Sequence, residues 1–205
     1  LPRCQLIKVP TVSNNELTLV AHFESKALVT EHIRSLSIPH TIVYVGGYTS
    51  LIIDSLKLIS TSPRTYGLVV PEPVNSRTKL PLIDASADVG KFVKGILLHP
   101  EKSLNREFNL ATKYYTFGEI VTILKKSNLC AILHILDKSA YRMGLASQGL
   151  PEWFQEDLLQ TMQFAEEYGL YGSADDIEEA QKVCCKRFIS FIVQSIPPVI
   201  NRANN

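Results

Sequence analysis

His22 and Lys26 stand four residues apart in His22-Phe-Glu-Ser-Lys26, at the start of an amphipathic helical pattern. On a helix that spacing puts both side chains on one face. An imidazole so placed can act as acid or base near neutral pH. An ammonium one turn further on can serve as a cofactor ligand. The residues alone leave each reading open. His22 is either a polar residue at a helix N-terminus or a proton carrier, and no second member of a catalytic pair is visible. Lys26 is either an exposed helical lysine or part of a cofactor seat.

The elements around this pair give it a context. Val29, Ile33 and Leu36 fall at helical spacing, with Phe23 and Ala27 extending the apolar side, so a helix is expected from about Ala21 to Leu36. Ile38-Pro39 breaks it. Thr41-Ile-Val-Tyr-Val45 then reads as a strand buried on both faces, and Gly46-Gly47 ends it. Helix with lysine, buried strand, glycine turn is the second half of a dinucleotide-binding α/β domain. The first half carries a glycine-rich phosphate loop between a strand and a helix. The 205 residues contain no such loop, and the chain is expected to begin in mid-domain.

Downstream, a helix is expected over Tyr48–Ile59, a strand over Tyr66–Val70 and an extended segment over Leu80–Ile83. Asp88 is expected to cap a helix over Val89–His99, with Phe92, Val93, Ile96 and Leu97 on its core face. A strand over Glu107–Ala111 follows. Thr116 with Glu119 three residues on is a capping box for a helix to Lys126. Cys130–Ile135 reads as a strand and Asp137 as the cap of a helix to Ser147. Pro151 opens the longest helix, Glu152–Tyr168, with Phe154, Leu158, Met162 and Ala165 at helical spacing. Trp153, Phe154 and Phe164 are assigned to the core of a lobe. An acidic helix over Ala174–Lys182, with Glu178 and Glu179 solvated, and an apolar one over Lys186–Ser195 close the chain.

Composition limits the function classes. With 45% hydrophobic and 20% charged residues, the chain is that of an ordinary globular protein. A net charge of +1 and a pI near 7.8 supply no field to hold nucleic acid or an anionic membrane. No apolar run reaches the ~18–20 residues of a membrane span. The four cysteines, Cys4, Cys130, Cys184 and Cys185, form no CxxC, and no His lies at zinc-ligand spacing. They read as ordinary thiols of a reducing compartment, and a cytoplasmic or nuclear location is expected.

Two blocks of residues resemble the NmrA-like family, atypical members of the short-chain dehydrogenase/reductase superfamily. The first is Ala21-His-Phe-Glu-Ser-Lys-Ala27, then Glu31-His-Ile-Arg-Ser-Leu-Ser-Ile-Pro39, then Thr41–Tyr48. The second is Pro81-Leu-Ile-Asp84, Asp88-Val-Gly-Lys-Phe-Val93, His99-Pro-Glu-Lys102 and Phe108-Asn-Leu-Ala-Thr112, with Thr116 and Glu119-Ile120. Their order and spacing carry the resemblance. It implies an α/β fold: the C-terminal portion of a Rossmann-like NAD(P)-binding domain with a smaller mixed α/β lobe. Rossmann-derived segments would span about 1–47 and 81–126, and the lobe about 48–80 and 127–200. The glycine loop and adenosine pocket of such a protein would precede Leu1.

Active dehydrogenases of the superfamily use Tyr-x-x-x-Lys, in which a phenolate passes the proton and Lys holds the nicotinamide ribose. Here His22 replaces the Tyr, as is common in NmrA-like proteins. The resemblance makes Lys26 a ribose ligand and lets the backbone of Tyr48, Thr49, Ser50 and Leu51 border the nicotinamide. The family's usual Arg-Pro-Gly is Tyr44-Val45-Gly46 here, and its usual Glu-Asn is Ser50-Leu51. The implied function is that of an NADP-responsive, non-catalytic regulator or redox sensor. It would act through a protein partner such as a transcription factor, in nitrogen or redox control, and a homodimer is a further expectation. The competing readings are an NAD(P)H-dependent oxidoreductase of small or secondary metabolites, with His22 as its acid, and a truncated fragment with neither activity.

Overall fold

A computed structural model describes residues 20–171 and 177–183. The expected helix over Lys186–Ser195, the segment before Val20, and Cys4, Cys184 and Cys185 lie outside them. The described chain is α/β, with three small sheets and helices packed on them. The first sheet pairs β1 (Thr41–Val45) in parallel with β6 (Arg106–Leu110), Thr41 opposite Arg106 and Val45 opposite Leu110. In the second, β5 (Lys79–Ile83) lies between β2 (Gly47–Tyr48), parallel, and β7 (Lys113–Thr116), antiparallel. In the third, β4 (Arg64–Pro71) lies between antiparallel β3 (Leu56–Thr61) and parallel β8 (Ala131–Leu136).

Helix α1 (Ala21–Ser35) precedes β1, and its rotation differs from the sequence expectation. Val29 is 58% exposed and Leu36 49%, whereas Thr30 is buried and Phe23, Ala27, Ile33 and Arg34 are half-buried. The inward stripe is therefore Phe23–Ala27–Thr30–Arg34. It is set by what the sheet offers: Arg34 forks onto Glu107 of β6, and Tyr44 Oη of β1 donates to the same carboxylate at 3.1 Å.

The Tyr48–Ile59 helix is corrected. Only α2 (Thr49–Asp54) is helical, and Leu56–Thr61 forms β3. The register Leu56 opposite Leu68 and Leu58 opposite Tyr66 satisfies the backbone of this stretch. Long-range pairing thus overrides the local helical pattern. Next, Asp84 and not Asp88 is the cap of the following helix. Its side chain accepts from the Ala87 N–H at 2.9 Å, and a π-turn (Ala85–Val89) leads into α3 (Gly90–Leu98). On α3, Phe92 and Ile96 are buried but Val93 and Leu97 are exposed, so the core face is narrower than expected.

The short α4 (Pro100–Ser103) leads to β6. Helix α5 (Phe117–Lys126) carries the capping box as read: Thr116 Oγ1 accepts from Glu119 N at 3.0 Å, and Thr116 N donates to Glu119 Oε2 at 2.8 Å. Asp137 caps α6 (Lys138–Ala146) through Ala140 N at 2.9 Å. Helix α7 (Glu152–Glu167) follows Pro151. Phe164 is core and Phe154 half-buried, but Trp153 is 67% exposed and leaves the expected lobe core. Within the described part of the acidic segment, α8 (Glu178–Val183) packs Ala180 and Val183 against Phe92, Phe108 and Leu110. Glu179 is not simply solvated, because it pairs with Arg106. The larger core joins Leu68, Val70, Leu80, Leu82, Phe117, Ile120 and Leu124 across the other two sheets.

Candidate functional site

The N-terminus of α1 is held by a residue that sequence reading did not connect with it. Val20, the residue before the helix, offers no side-chain cap. Asp157, buried in α7, takes that role from across the fold. Its Oδ1 accepts the His22 backbone N–H at 3.3 Å, and its Oδ2 meets His22 Nδ1 in a short contact. A carboxylate at a helix N-terminus satisfies an orphan donor and suits the helix dipole. An ionised carboxylate only accepts, so Nδ1 carries the proton, and Nε2 remains as the ring's second nitrogen. The His22 side chain is 37% exposed and that of Asp157 2%. The imidazole therefore bridges the inside of the molecule and solvent.

His22 thus has a carboxylate partner for its ring, 135 residues away in sequence. An imidazole oriented by a carboxylate is an arrangement that general acid–base chemistry uses. Asp157 escaped sequence reading because an acid in an amphipathic helix ordinarily faces water. The available signal was its place in α7 immediately before the Leu158-Leu159 apolar pair, where an acid is out of pattern.

Lys26, one turn along α1, is exposed and forms no ion pair among the described residues. Its ammonium is available to hydroxyl or phosphate oxygens. Tyr48, Thr49, Ser50 and Leu51 lie where β2 passes into α2. Tyr48 (42% exposed), Ser50 and Leu51 (55%) face solvent, and Thr49 is buried. These groups suit the chemistry of the ribose and nicotinamide end of a dinucleotide, with an ammonium that forms no ion pair among the described residues and a turn whose Tyr48, Ser50 and Leu51 are exposed. The chemistry such a cofactor supplies when bound is hydride transfer.

The turn between β1 and β2 is built by close approach. A Cβ on Gly46 would lie 2.5 Å from Pro81 O, 3.0 Å from Tyr171 Oη and 3.2 Å from Leu110 O, so only glycine fits. Tyr171 was also missed. Its Oη reaches Leu110 O at 2.7 Å and Tyr44 O at 3.2 Å, tying together the C-terminal ends of β1 and β6. Burial pushes this phenol far above its ordinary range, and Tyr114 nearby adds to the shift. Asp88 is fully buried, between Lys91 Nζ at 2.9 Å and Thr112 Oγ1 at 3.5 Å, and belongs to the packing of α3. Among the described residues no group of His, Cys, Asp or Glu can hold a metal ion, and no helix is long and apolar enough to cross a membrane.

The sequence pattern of the NmrA-like family matches residues 5–190. Among solved structures, the chain is similar to NmrA, a negative transcriptional regulator, at 18% identity and a TM-score of 0.65. The match covers 86% of this chain and 58% of NmrA. It is similar to isoflavone reductase at 18% identity and a TM-score of 0.62, covering 87% of this chain and 58% of the reductase. Triphenylmethane reductase of Citrobacter sp., in its complex with NADP(H), matches at 19% identity and a TM-score of 0.62, covering 86% and 60%. NmrA has itself been crystallised with NAD and with NADP. The chain thus spans less than two thirds of the length of these solved relatives. No curated protein sequence matches it.

Proposed function

We propose a function from the premise that this chain belongs to the NmrA-like family: it serves a nicotinamide-dinucleotide-responsive regulator. The dinucleotide state, with NADP as the form that the family resemblance implies, sets how the protein meets a protein partner such as a transcription factor. One observation carries this reading. His22, which the family resemblance aligns with the superfamily's proton-donating Tyr, is fastened by ring and backbone N–H together to Asp157 of α7. A ligand on Lys26 and the Tyr48–Leu51 turn therefore bears on the joint between α1 and α7. Binding energy that differs between two positions of that joint is what a regulator needs.

The same pair favours a second reading, an NAD(P)H-dependent oxidoreductase in which Asp157 orients His22 and Nε2 moves the proton. Replacing His22 separates the two. On the regulator reading, His22→Ala leaves partner binding in place but weakens its dependence on the dinucleotide, and the wild type shows no robust turnover of NADPH. A robust wild-type turnover that disappears in His22→Ala overturns the regulator in favour of the enzyme.

A further inference from the structure

We propose that a cavity on the far side of β5 binds a small aromatic carboxylate. The inference stands apart from the dinucleotide reading. The cavity measures about 430 Å³ and lies between the 75–79 segment and the C-terminal end of α7. That volume is in the range of small-molecule sites, about 300–1,000 Å³. It is not the Tyr48–Leu51 turn. Tyr48 pairs with Ile83 at one end of β5, whereas Lys79 stands at the other end, about 13 Å away at the rise of a strand.

Its walls are preorganised. Asn75 N donates to Thr78 Oγ1 at 2.8 Å, and Arg77 N donates to Asn75 Oδ1 at 2.9 Å. Asn75 Nδ2 donates to Glu166 Oε1 at 2.9 Å, and Thr78 Oγ1 donates to Glu166 Oε2. On the other flank, Gly118 N and Phe117 N bond to Ser76 O and Thr78 O at 2.9 and 3.2 Å. The segment is thus held between the start of α5 and the end of α7. Glu166 has one donor on each oxygen and serves to hold the wall.

Arg77 and Lys79 flank buried Thr78 and line the cavity, and neither forms an ion pair among the described residues. Glu166 is engaged in the wall and Glu167 is hydrogen-bonded to the Tyr168 hydroxyl, whereas Arg77 and Lys79 are lining cations that meet no carboxylate among the described residues and can receive an anion. Tyr114 and Tyr168 supply ring surface on the same walls. A planar guanidinium recognises a carboxylate through paired hydrogen bonds, and phenol rings accept an aromatic body alongside. The ligand class follows: one carboxylate on an aromatic ring system of modest size.

The test is calorimetric titration of the 205-residue chain with 2-naphthoate. Inorganic phosphate and uncharged 2-naphthalenemethanol serve as comparison probes. We expect saturable, sub-millimolar binding of naphthoate that weakens by about tenfold or more in the Arg77→Gln/Lys79→Gln variant. Both comparison probes should bind far more weakly. Hydrogen exchange of the wild type gives a readout that does not depend on the variant folding, because saturating naphthoate should slow exchange in residues 75–79 and 165–169. The proposal is overturned by any of three results: no saturation, equal affinity in the double variant, or phosphate binding as tightly as naphthoate. Protection appearing elsewhere while 75–79 stays unchanged overturns it too.

Discussion

His22 and Asp157 divide what is legible in a chain from what is not. The imidazole and Lys26 could be picked out because their relation is local: two residues on one face of one helix. The carboxylate that holds the ring comes from the other end of the chain, and no spacing rule connects them. Its replacement tests how much of the pair is structural. Asp157→Ala removes the acceptor for the His22 N–H and ring in a buried setting, and should cost about 2 kcal/mol in chemical denaturation. Asp157→Asn keeps an acceptor for the N–H but offers an amide donor to Nδ1, which moves the ring proton to Nε2. Its stability loss should be smaller, under about 1 kcal/mol. Tyr171 gives a second test. Tyr171→Phe removes its hydrogen bonds to Leu110 O and Tyr44 O and should cost about 1 kcal/mol at neutral pH. Because the folded phenol is held far above its ordinary value, its contribution is fully present below about pH 10, the unfolded value. It is then lost progressively as pH rises towards the folded value. The wild type should lose stability above about pH 10 more steeply than Tyr171→Phe.

At the scale of elements, those closed by local chemistry were readable and those closed by distant partners were not. Helix α5 announces itself in Thr116 and Glu119, and α6 in Asp137, because a cap acts within one turn. β1 was readable as a strand from a β-branched apolar run, but not its burial, since only Ile42 is buried and Thr41, Val43, Tyr44 and Val45 are half-buried. β3 was not, because nothing within Leu56–Thr61 says that Tyr66 and Leu68 will lie opposite. α1 was found but turned wrongly, since its orientation is fixed by Glu107 and not by its own apolar count. The capping box has its own pH signature. The Thr116 backbone N–H holds the Glu119 carboxyl below its ordinary value against the opposing effect of burial, and Lys113 and the Thr116 hydroxyl add weaker lowering effects. A depressed folded pKa gives stability that is present above the ordinary glutamate value and fades as pH falls through the folded one. Thr116→Ala should cost about 1 kcal/mol at pH 7 by thermal unfolding. The difference between Glu119→Ala and the wild type should shrink on acidification below about pH 4, because the protonated carboxyl no longer holds the Thr116 N–H as a charged acceptor.

For the molecule as a whole, the feature of most consequence is β1. It pairs with β6 on one side, and among the described residues no strand lies on the other. In a parallel ladder, alternate residues of a strand direct their N–H groups to a given neighbour, so only some β1 amides bond to β6. Hydrogen exchange across Thr41–Val45 should therefore alternate between slow and fast, with sedimentation showing self-association as concentration rises. Uniform protection in a monomer would mean that residues before Val20 supply the missing partner. A related expectation concerns the dinucleotide. The 205 residues contain Lys26 and the Tyr48–Leu51 turn but no glycine-rich loop of the kind that cradles a pyrophosphate against the helix that follows it. Fluorescence titration with NADPH should give weak binding, and a low-micromolar dissociation constant would show that the cofactor seat lies elsewhere.

The crowded glycine between β1 and β2 also says something about time. Gly46 is enclosed by Pro81, Leu110 and Tyr171, and Tyr171 reaches Tyr44 across a sequence separation of 127. Loop closure over such separations makes folding slow, and a spot that needs three distant segments is finished only when all have arrived. The β1–β2 turn, which leads into the Tyr48–Leu51 turn that would border the nicotinamide, should thus be completed late in folding. In a refolding time course, burial of Tyr171 should trail the appearance of helical signal, and competence to bind should arrive with Tyr171.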